Sequence, residues 1–73
     1  MKVVEIIGGL YMSLDNEQFA FYKKIVLYCR KHNTDTIPLN KFNDKQRSIA
    51  QRLVDSHVLD RRNNTYILRT EVL

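Results

Sequence analysis

The stretch that decides the fold is NDKQRSIAQRLVDSHVLDRRNNTYIL, residues 43–68. It opens with a capping box, Asn43 and Gln46, in which each side chain accepts a hydrogen bond from the backbone of the other residue, so a helix is predicted to begin here. Apolar residues then recur at helical spacing on one side of the helix, namely Ile49, Ala50, Leu53, Val54 and Val58. The pattern therefore predicts an amphipathic helix that runs from Asn43 to Val58.

From Leu59 the pattern changes to a period of two, which is typical of β-strands. Asn63-Asn64 is the predicted two-residue loop, because asparagine tolerates the left-handed backbone conformation that such loops need. In this register Leu59 faces Leu68 and Arg61 faces Tyr66. The other side of the hairpin carries Asp60, Arg62, Thr65, Ile67 and Arg69. The chain is therefore predicted to finish with a basic β-hairpin that follows the helix without a gap.

A longer helix is predicted upstream, from Asp15 to about His32. Asp15 is the predicted N-cap with Gln18 as its capping-box partner, and Asn33 is a suitable terminator. The apolar stripe of this helix consists of Phe19, Tyr22, Ile25, Val26 and Cys29. Two further aromatic residues, Phe21 and Tyr28, lie at the edge of the stripe. If these two are exposed, they indicate a contact with a protein partner or a second copy of the chain.

The N-terminal segment has two apolar runs, residues 3–7 and 10–14, on either side of Gly8-Gly9. Two glycines between such runs favour a β-hairpin, because both can adopt a positive φ. With a two-residue loop, Val4, Ile6 and Tyr11 share one face, and the other face carries Val3, Glu5, Ile7, Leu10, Met12 and Leu14. A helix is the alternative, although two glycines within it would cost about 1 kcal/mol each relative to alanine.

Between the two predicted helices, residues 36–39 form a short β-like piece. Pro38 lacks a backbone donor, so this piece is predicted to lie at a sheet edge. Only residues 39–42 remain before the next capping box, which is room for a single helical turn at most.

This order of helix, short strand, helical turn, helix and hairpin resembles the winged helix-turn-helix superfamily over residues 15–69. The resemblance rests on Leu53-Val54, Val58-Leu59 and Tyr66-Ile67-Leu68, where a helix closes onto two wing strands. One departure is that members normally have two helices between the first strand and the wing. The predicted fold is therefore α+β: a small winged-helix-like domain with an N-terminal β-hairpin, two main helices and a C-terminal hairpin wing.

The resemblance implies that residues 43–58 form a recognition helix for double-stranded DNA. Long hydrogen-bond donors on a helix can read base edges in the major groove, and the arginines of a hairpin tip can contact phosphates or the minor groove. The predicted DNA-binding residues are Lys45, Arg47, Ser48, Gln51, Arg52, Arg61, Arg62 and Asn64.

Composition limits the alternatives. The chain has 73 residues, room for one domain, within which residues 1–14 are predicted to be a hairpin or dimerisation arm and residues 15–73 the core. The apolar fraction of 44% and the charged fraction of 27% are ordinary for a folded domain. The net charge of +4 favours an anionic partner such as nucleic acid, and the alternative is that it serves solubility alone. The apolar N-terminal run is too short to span a membrane.

No catalytic or metal-binding signature accompanies this pattern. Cys29 is the only cysteine, which suits a reducing compartment, and its apolar helical setting predicts a buried structural thiol. His32 and His57 have no cysteine or carboxylate at metal-ligand spacing, so no cofactor is expected.

The sequence thus predicts a non-catalytic, cytoplasmic DNA-binding protein and a homodimer, acting as a transcriptional or replicative regulator of phage or mobile-element origin. The alternative is a protein-interaction module, such as a virus-encoded modulator of a host enzyme or a small structural subunit. In that interpretation the N-terminal hairpin and the exposed aromatic residues would form the contact surface.

Overall fold

The computed structural model describes residues 2–70. The chain forms an N-terminal hairpin, a long helix, a short strand, a 3-10 turn, a second helix and a C-terminal hairpin. The elements are β1 (Lys2–Ile6), β2 (Leu10–Leu14), α1 (Asn16–His32), β3 (Thr36–Pro38), the 3-10 turn (Leu39–Lys41), α2 (Asp44–Asp55), β4 (Leu59–Arg62) and β5 (Thr65–Leu68). The predicted α+β class is confirmed, with two helices and two small antiparallel sheets.

The second sheet has the strand order β3-β5-β4, so β5 is its central strand. Both helices and both sheets contribute side chains to one hydrophobic core. The core residues are Val4, Ile6, Leu14, Phe21, Ile25, Cys29, Ile37, Ala50, Leu53, Val58, Leu59, Tyr66 and Leu68. No helix in the described part of the chain is long and apolar enough to cross a membrane.

The N-terminal hairpin forms as predicted, but its predicted register was wrong by one residue. Ile6 pairs with Leu10, so the loop has three residues, and the Gly9 amide donates to the Ile6 carbonyl at 3.0 Å. A one-residue slip exchanges the two faces of a strand. Val4, Ile6 and Leu14 therefore face the core together, whereas Val3 and Tyr11 lie on the outer face.

The first helix begins at the predicted capping box, with the Gln18 amide 2.7 Å from Asp15 Oδ1 and the Asp15 amide 3.0 Å from Gln18 Oε1. It ends where expected, at Asn33, whose φ of 51° is left-handed. The predicted apolar stripe was off centre, because the buried positions are Gln18, Phe21, Ile25 and Cys29.

Phe21 is therefore a core residue and not an exposed edge residue. Its ring centroid lies 5.0 Å from that of Phe42, which in turn lies 5.6 Å from that of Tyr66. Tyr28 is half-buried and packs its ring against His32. The sequence could not reveal the contact with Phe42, because it depends on how the 3-10 turn sits over α1.

The predicted edge strand is confirmed. β3 pairs only with β5 among the described residues, and Pro38 is opposite Thr65. The following 3-10 turn is the single turn expected between β3 and α2.

The second helix starts at the predicted capping box of Asn43 and Gln46 but ends at Asp55, earlier than predicted. His57 adopts a left-handed φ of 65°, and the amides of His57 and Val58 donate to the carbonyls of Val54 and Leu53 at 3.0 Å each. This is a Schellman motif, in which glycine is usual at the left-handed position. It releases Val58 from the helix and turns it into the core directly before β4.

The C-terminal hairpin has the predicted register, with Leu59 opposite Leu68 and Arg61 opposite Tyr66. Asn63 takes the left-handed conformation at φ 55°. The side chains of the hairpin alternate between its two faces as predicted, so Leu59, Tyr66 and Leu68 are buried.

The left-handed His57 generates a stability prediction. We expect His57→Gly to raise the free energy of unfolding by about 0.5–1 kcal/mol. The left-handed backbone costs a non-glycine residue about 1–2 kcal/mol, and glycine removes this strain. The gain is smaller than the strain because glycine also increases the entropy of the unfolded chain. Chemical denaturation measures the change. Asn33→Gly is the matched control with a smaller gain, since asparagine tolerates this conformation. A variant at His57 that is no more stable than the parent would contradict the prediction.

Candidate nucleic-acid interface

The second helix and the C-terminal hairpin are joined through the 3-10 turn. The Leu39 amide donates to the carbonyl of Asn64 at the hairpin tip, at 2.8 Å. The carbonyl of the same Leu39 accepts from Arg47 Nε at 3.3 Å. This chain of bonds brings Arg47 of α2 and Asn64 of the hairpin onto one side of the molecule and fixes their relative positions.

The remaining predicted residues of α2 divide between its two flanks. Ser48 and Gln51 are exposed and lie opposite the buried Ala50 and Leu53. The helical period of about 3.6 residues puts Arg47 on the flank next to the hairpin and puts Lys45 with Arg52 on the other flank. The eight predicted DNA-binding residues are all at least partly exposed, but they do not form one continuous basic surface.

Carboxylates share the outer face of α2. Asp44 lies at the start of the helix, where Arg47 Nη1 approaches its Oδ1 at 4.0 Å. Asp55 lies at the end and accepts from Gln51 Nε2 at 3.2 Å. The negative charge at both ends of α2 reduces the attraction of this face for phosphate. The predicted set of DNA-binding residues considered only the basic and polar side chains and left these carboxylates out.

Arg52 is committed to an intramolecular contact. Its Nη1 lies 2.8 Å from Glu17 Oε1, and its Nη2 contacts Asp15 Oδ2. The Arg52 side chain is 44% exposed and the two carboxylates about half exposed, so water screens this ion pair. Arg52 therefore joins α2 to the first turn of α1, where the negative side chains also suit the helix dipole. We assign it a positioning role instead of a direct contact with DNA.

The hairpin arginines differ in their surroundings. Arg62 Nε lies 3.4 Å from Asp60 Oδ2, and Arg69 Nη1 lies 3.9 Å from the same oxygen. Arg61 is exposed, and no carboxylate of residues 2–70 lies within ion-pair distance of it or of Lys45. The hairpin tip thus retains more positive charge than the outer face of α2.

Two nearby cations were not among the predicted site residues. Arg69 shares Asp60 with Arg62, and Lys41 is exposed on the 3-10 turn beside Leu39. The alternation of the hairpin did place Arg69 on the same face as Asp60 and Arg62. No motif in the sequence marked Lys41, because its position depends on the fold of the turn.

Among the described residues, no three histidine, cysteine or acidic side chains are grouped as a metal site. Burial raises the pKa of the Cys29 thiol, and the negative charge of Asp35 raises it further. Cys29 is fully buried and stays protonated at neutral pH, as expected of a structural thiol.

A second surface of interest is the N-terminal hairpin. Of the large hydrophobic residues that are exposed in the described chain, all but Leu27 lie there. They are Val3, Ile7, Leu10 and Tyr11, each 56–66% exposed. Val3 and Tyr11 lie on the outer face of the hairpin, Leu10 shares the opposite face with Ile6, and Ile7 belongs to the loop. Exposed apolar side chains of this size are of the kind that another protein often covers.

Comparison of the chain with protein-family models, curated proteins and solved structures finds no match.

The ion pair of Arg52 can be tested by a double-mutant cycle with Arg52→Ala and Glu17→Gln. We expect a coupling free energy of about 0.5 kcal/mol in low salt, because exposed ion pairs contribute between about 0 and 1 kcal/mol. The coupling should decrease in about 1 M NaCl, where the Debye length is only about 3 Å. Denaturant unfolding of the four proteins measures it. Strictly additive single effects in low salt would show that the pair does not form in solution.

Proposed function

We propose that this chain is a small non-catalytic protein that binds double-stranded DNA through α2 and the C-terminal hairpin. The observation that supports this most directly is the hydrogen-bonded connection from Arg47 through Leu39 to Asn64. A rigid connection between a helix and a hairpin tip lets both engage one duplex without a loss of conformational entropy on binding. The order of the elements also agrees with the winged-helix resemblance, which remains part of this proposal.

In this proposal α2 lies in the major groove and the hairpin contacts the backbone. Lys45, Ser48 and Gln51 are exposed on α2 and reach base edges, where lysine favours guanine and glutamine favours adenine. Arg47, Arg61, Arg62 and Asn64 contact phosphates. Arg52 holds α2 against α1 through Asp15 and Glu17 and makes no direct contact.

The carboxylates near the interface limit the number of cations that can bind phosphate. Four cations lie at the interface, namely Lys45, Arg47, Arg61 and Arg62, but Arg47 lies beside Asp44 and Arg62 beside Asp60 and must exchange these carboxylates for phosphate. The affinity should therefore fall with salt at a logarithmic slope of about 3–4 at most for each protomer bound, at about 0.9 per phosphate. We further propose that the protein acts as a dimeric regulator of transcription or replication in the cytoplasm, of phage or mobile-element origin.

A titration of a labelled DNA duplex, followed by fluorescence anisotropy at about 50 to 200 mM salt, tests the proposal. We expect Arg61→Ala with Arg62→Ala to weaken binding about tenfold and to lower the salt slope by about 2. Lys45→Ala with Arg47→Ala should have an effect of similar size. Arg52→Ala should change the affinity less than either pair.

Lys23→Ala with Arg30→Ala is the matched control, because it removes the same charge from exposed positions of α1. Lys23 Nζ lies 5.6 Å from the ring centroid of Phe19, a residue of the same helix. This pair should leave affinity within about twofold of the parent, since only charges at the interface release counterions on binding. An equal loss of affinity in the control and the hairpin variants would show that binding depends only on net charge, which would contradict the proposal. So would absence of binding at the lowest salt.

A second candidate function, protein binding through the N-terminal hairpin, is favoured by the exposed Val3, Ile7, Leu10 and Tyr11. Such a module could modulate a host enzyme or join a larger assembly as a small subunit. It uses a different surface from α2, so the two functions do not exclude each other.

A further inference from the structure

An open groove of about 570 Å³ runs along β1, outside the proposed DNA-binding surface. Residues 3–9 line one side of it, and Phe19, Tyr22 and Thr70 line the other. The Tyr22 hydroxyl lies 3.1 Å from Thr70 Oγ1, which joins two residues of that second side. Because β1 lines the first side, an extended polypeptide could lie beside this strand.

On the groove side of β1, two residues have backbone groups with no hydrogen-bond partner among residues 2–70. The Ile7 amide donates to the Arg69 carbonyl at 2.8 Å, so at this end the edge already binds a second backbone. Backbone groups alternate in direction along an antiparallel strand, so those of Val3 and Glu5 point to the same side as that of Ile7. Outside the β1–β2 ladder, no described residue is hydrogen-bonded to the backbone of Val3 or Glu5.

The charges at the groove favour an acidic occupant. Lys2 Nζ and Lys23 Nζ lie 5.8 Å and 5.6 Å from the ring centroid of Phe19, which places two positive charges at one part of the groove. Of the described residues that line the groove, only Glu5 is acidic. A carboxylate near Phe19 would be attracted by both lysines, while apolar side chains would contact Phe19 and Tyr22.

We propose that this groove binds an extended segment of a partner protein as an additional β-strand beside β1. The backbone of the segment pairs with Val3 and Glu5, and an acidic side chain or C-terminal carboxylate lies next to Lys2 and Lys23. Main-chain hydrogen bonds give the affinity, and the side chains against Phe19 and Tyr22 give the specificity. This inference specifies the second candidate function and is independent of DNA binding.

Selection of a phage-displayed library of random peptides about nine residues long on the immobilised full-length protein provides the probe. We expect enriched peptides to alternate β-branched or apolar residues with polar ones and to contain an acidic residue. The best peptide is then synthesised, and its Kd is measured by isothermal titration calorimetry. Failure of any peptide to enrich above the unselected library would overturn the proposal.

The decisive variants are Val3→Pro and Ser13→Pro. Val3 and Ser13 are exposed cross-strand partners on the two opposite edges of the hairpin. Proline is tolerated on an edge strand where the amide faces outwards, so both variants keep the β1–β2 ladder. We expect Val3→Pro to weaken peptide binding at least about tenfold and Ser13→Pro less than about twofold. Equal losses in the two variants would overturn the proposal.

Amide hydrogen exchange on the parent protein gives a second measurement that does not depend on the variants folding. Bound peptide should slow exchange at Val3 and Glu5 at least about tenfold, because their amides become hydrogen-bonded. Unchanged exchange at both residues would contradict strand addition.

Two further comparisons separate this inference from its rivals. The first is the double variant Leu10→Ser with Tyr11→Ser. If it loses peptide binding and Val3→Pro does not, the hairpin binds protein through its exposed side chains, and the proposal of strand addition is overturned. A chain that ends at Thr70 lacks residues 71–73, which follow the groove residue Thr70 in the sequence. We expect its affinity to stay within about threefold of the parent. Binding to the shortened chain alone would show that the edge serves the chain's own end.

Discussion

Strand β5 and the residues on either side of it hydrogen-bond to β3, to β4, to the 3-10 turn, to Val58 after α2 and to the N-terminal hairpin, and both candidate surfaces depend on these bonds. Within the second sheet it pairs with β3 on one side and β4 on the other. Its flanking backbone groups bind further segments: the Asn64 carbonyl accepts from the 3-10 turn, the Arg69 amide donates to Val58 after α2, and the Arg69 carbonyl accepts from Ile7 of the N-terminal hairpin. Tyr66 and Leu68 of β5 are buried in the core between the helices and the sheets. A central strand can fix its neighbours because its backbone N–H and C=O groups bind the strands on both sides. Its apolar side chains meanwhile pack on the face of the sheet and into the core.

The two candidate surfaces lie at opposite ends of β5. The tip of the C-terminal hairpin, with Asn64, is bound to the 3-10 turn and is thereby fixed relative to α2. At the other end Arg69 holds the N-terminal hairpin, whose outer face and edge are exposed.

Local charge at the candidate DNA interface differs from the charge of the whole chain. The net charge of +4 suggests a polyanion partner, but ion pairs to Asp15, Glu17 and Asp60 engage Arg52, Arg62 and Arg69. What is available for phosphate is concentrated in Lys45, Arg47 and the hairpin tip. A small number of contacts implies modest affinity, so specificity would rely on side chains such as Ser48 and Gln51 and on a second copy or partner.

Signals between near neighbours in the sequence specify the secondary structure of this protein. Capping boxes at Asp15 and Asn43, an asparagine loop at residues 63–64 and the alternation of Leu59 to Leu68 depend on neighbours in the chain, so both helices and the C-terminal hairpin could be predicted. The remaining features depend on contacts between residues that are far apart in the chain. Phe21 is buried because Phe42 packs on it, the hairpin register is set by which residues meet the core, and Arg52 is occupied because folding brings Asp15 and Glu17 to it. The sequence therefore predicted Arg52 to contact DNA, whereas in the fold its side chain links α2 to the first turn of α1. Nothing in the sequence indicated this link, because the carboxylates that bind Arg52 lie 35 and 37 residues away along the chain.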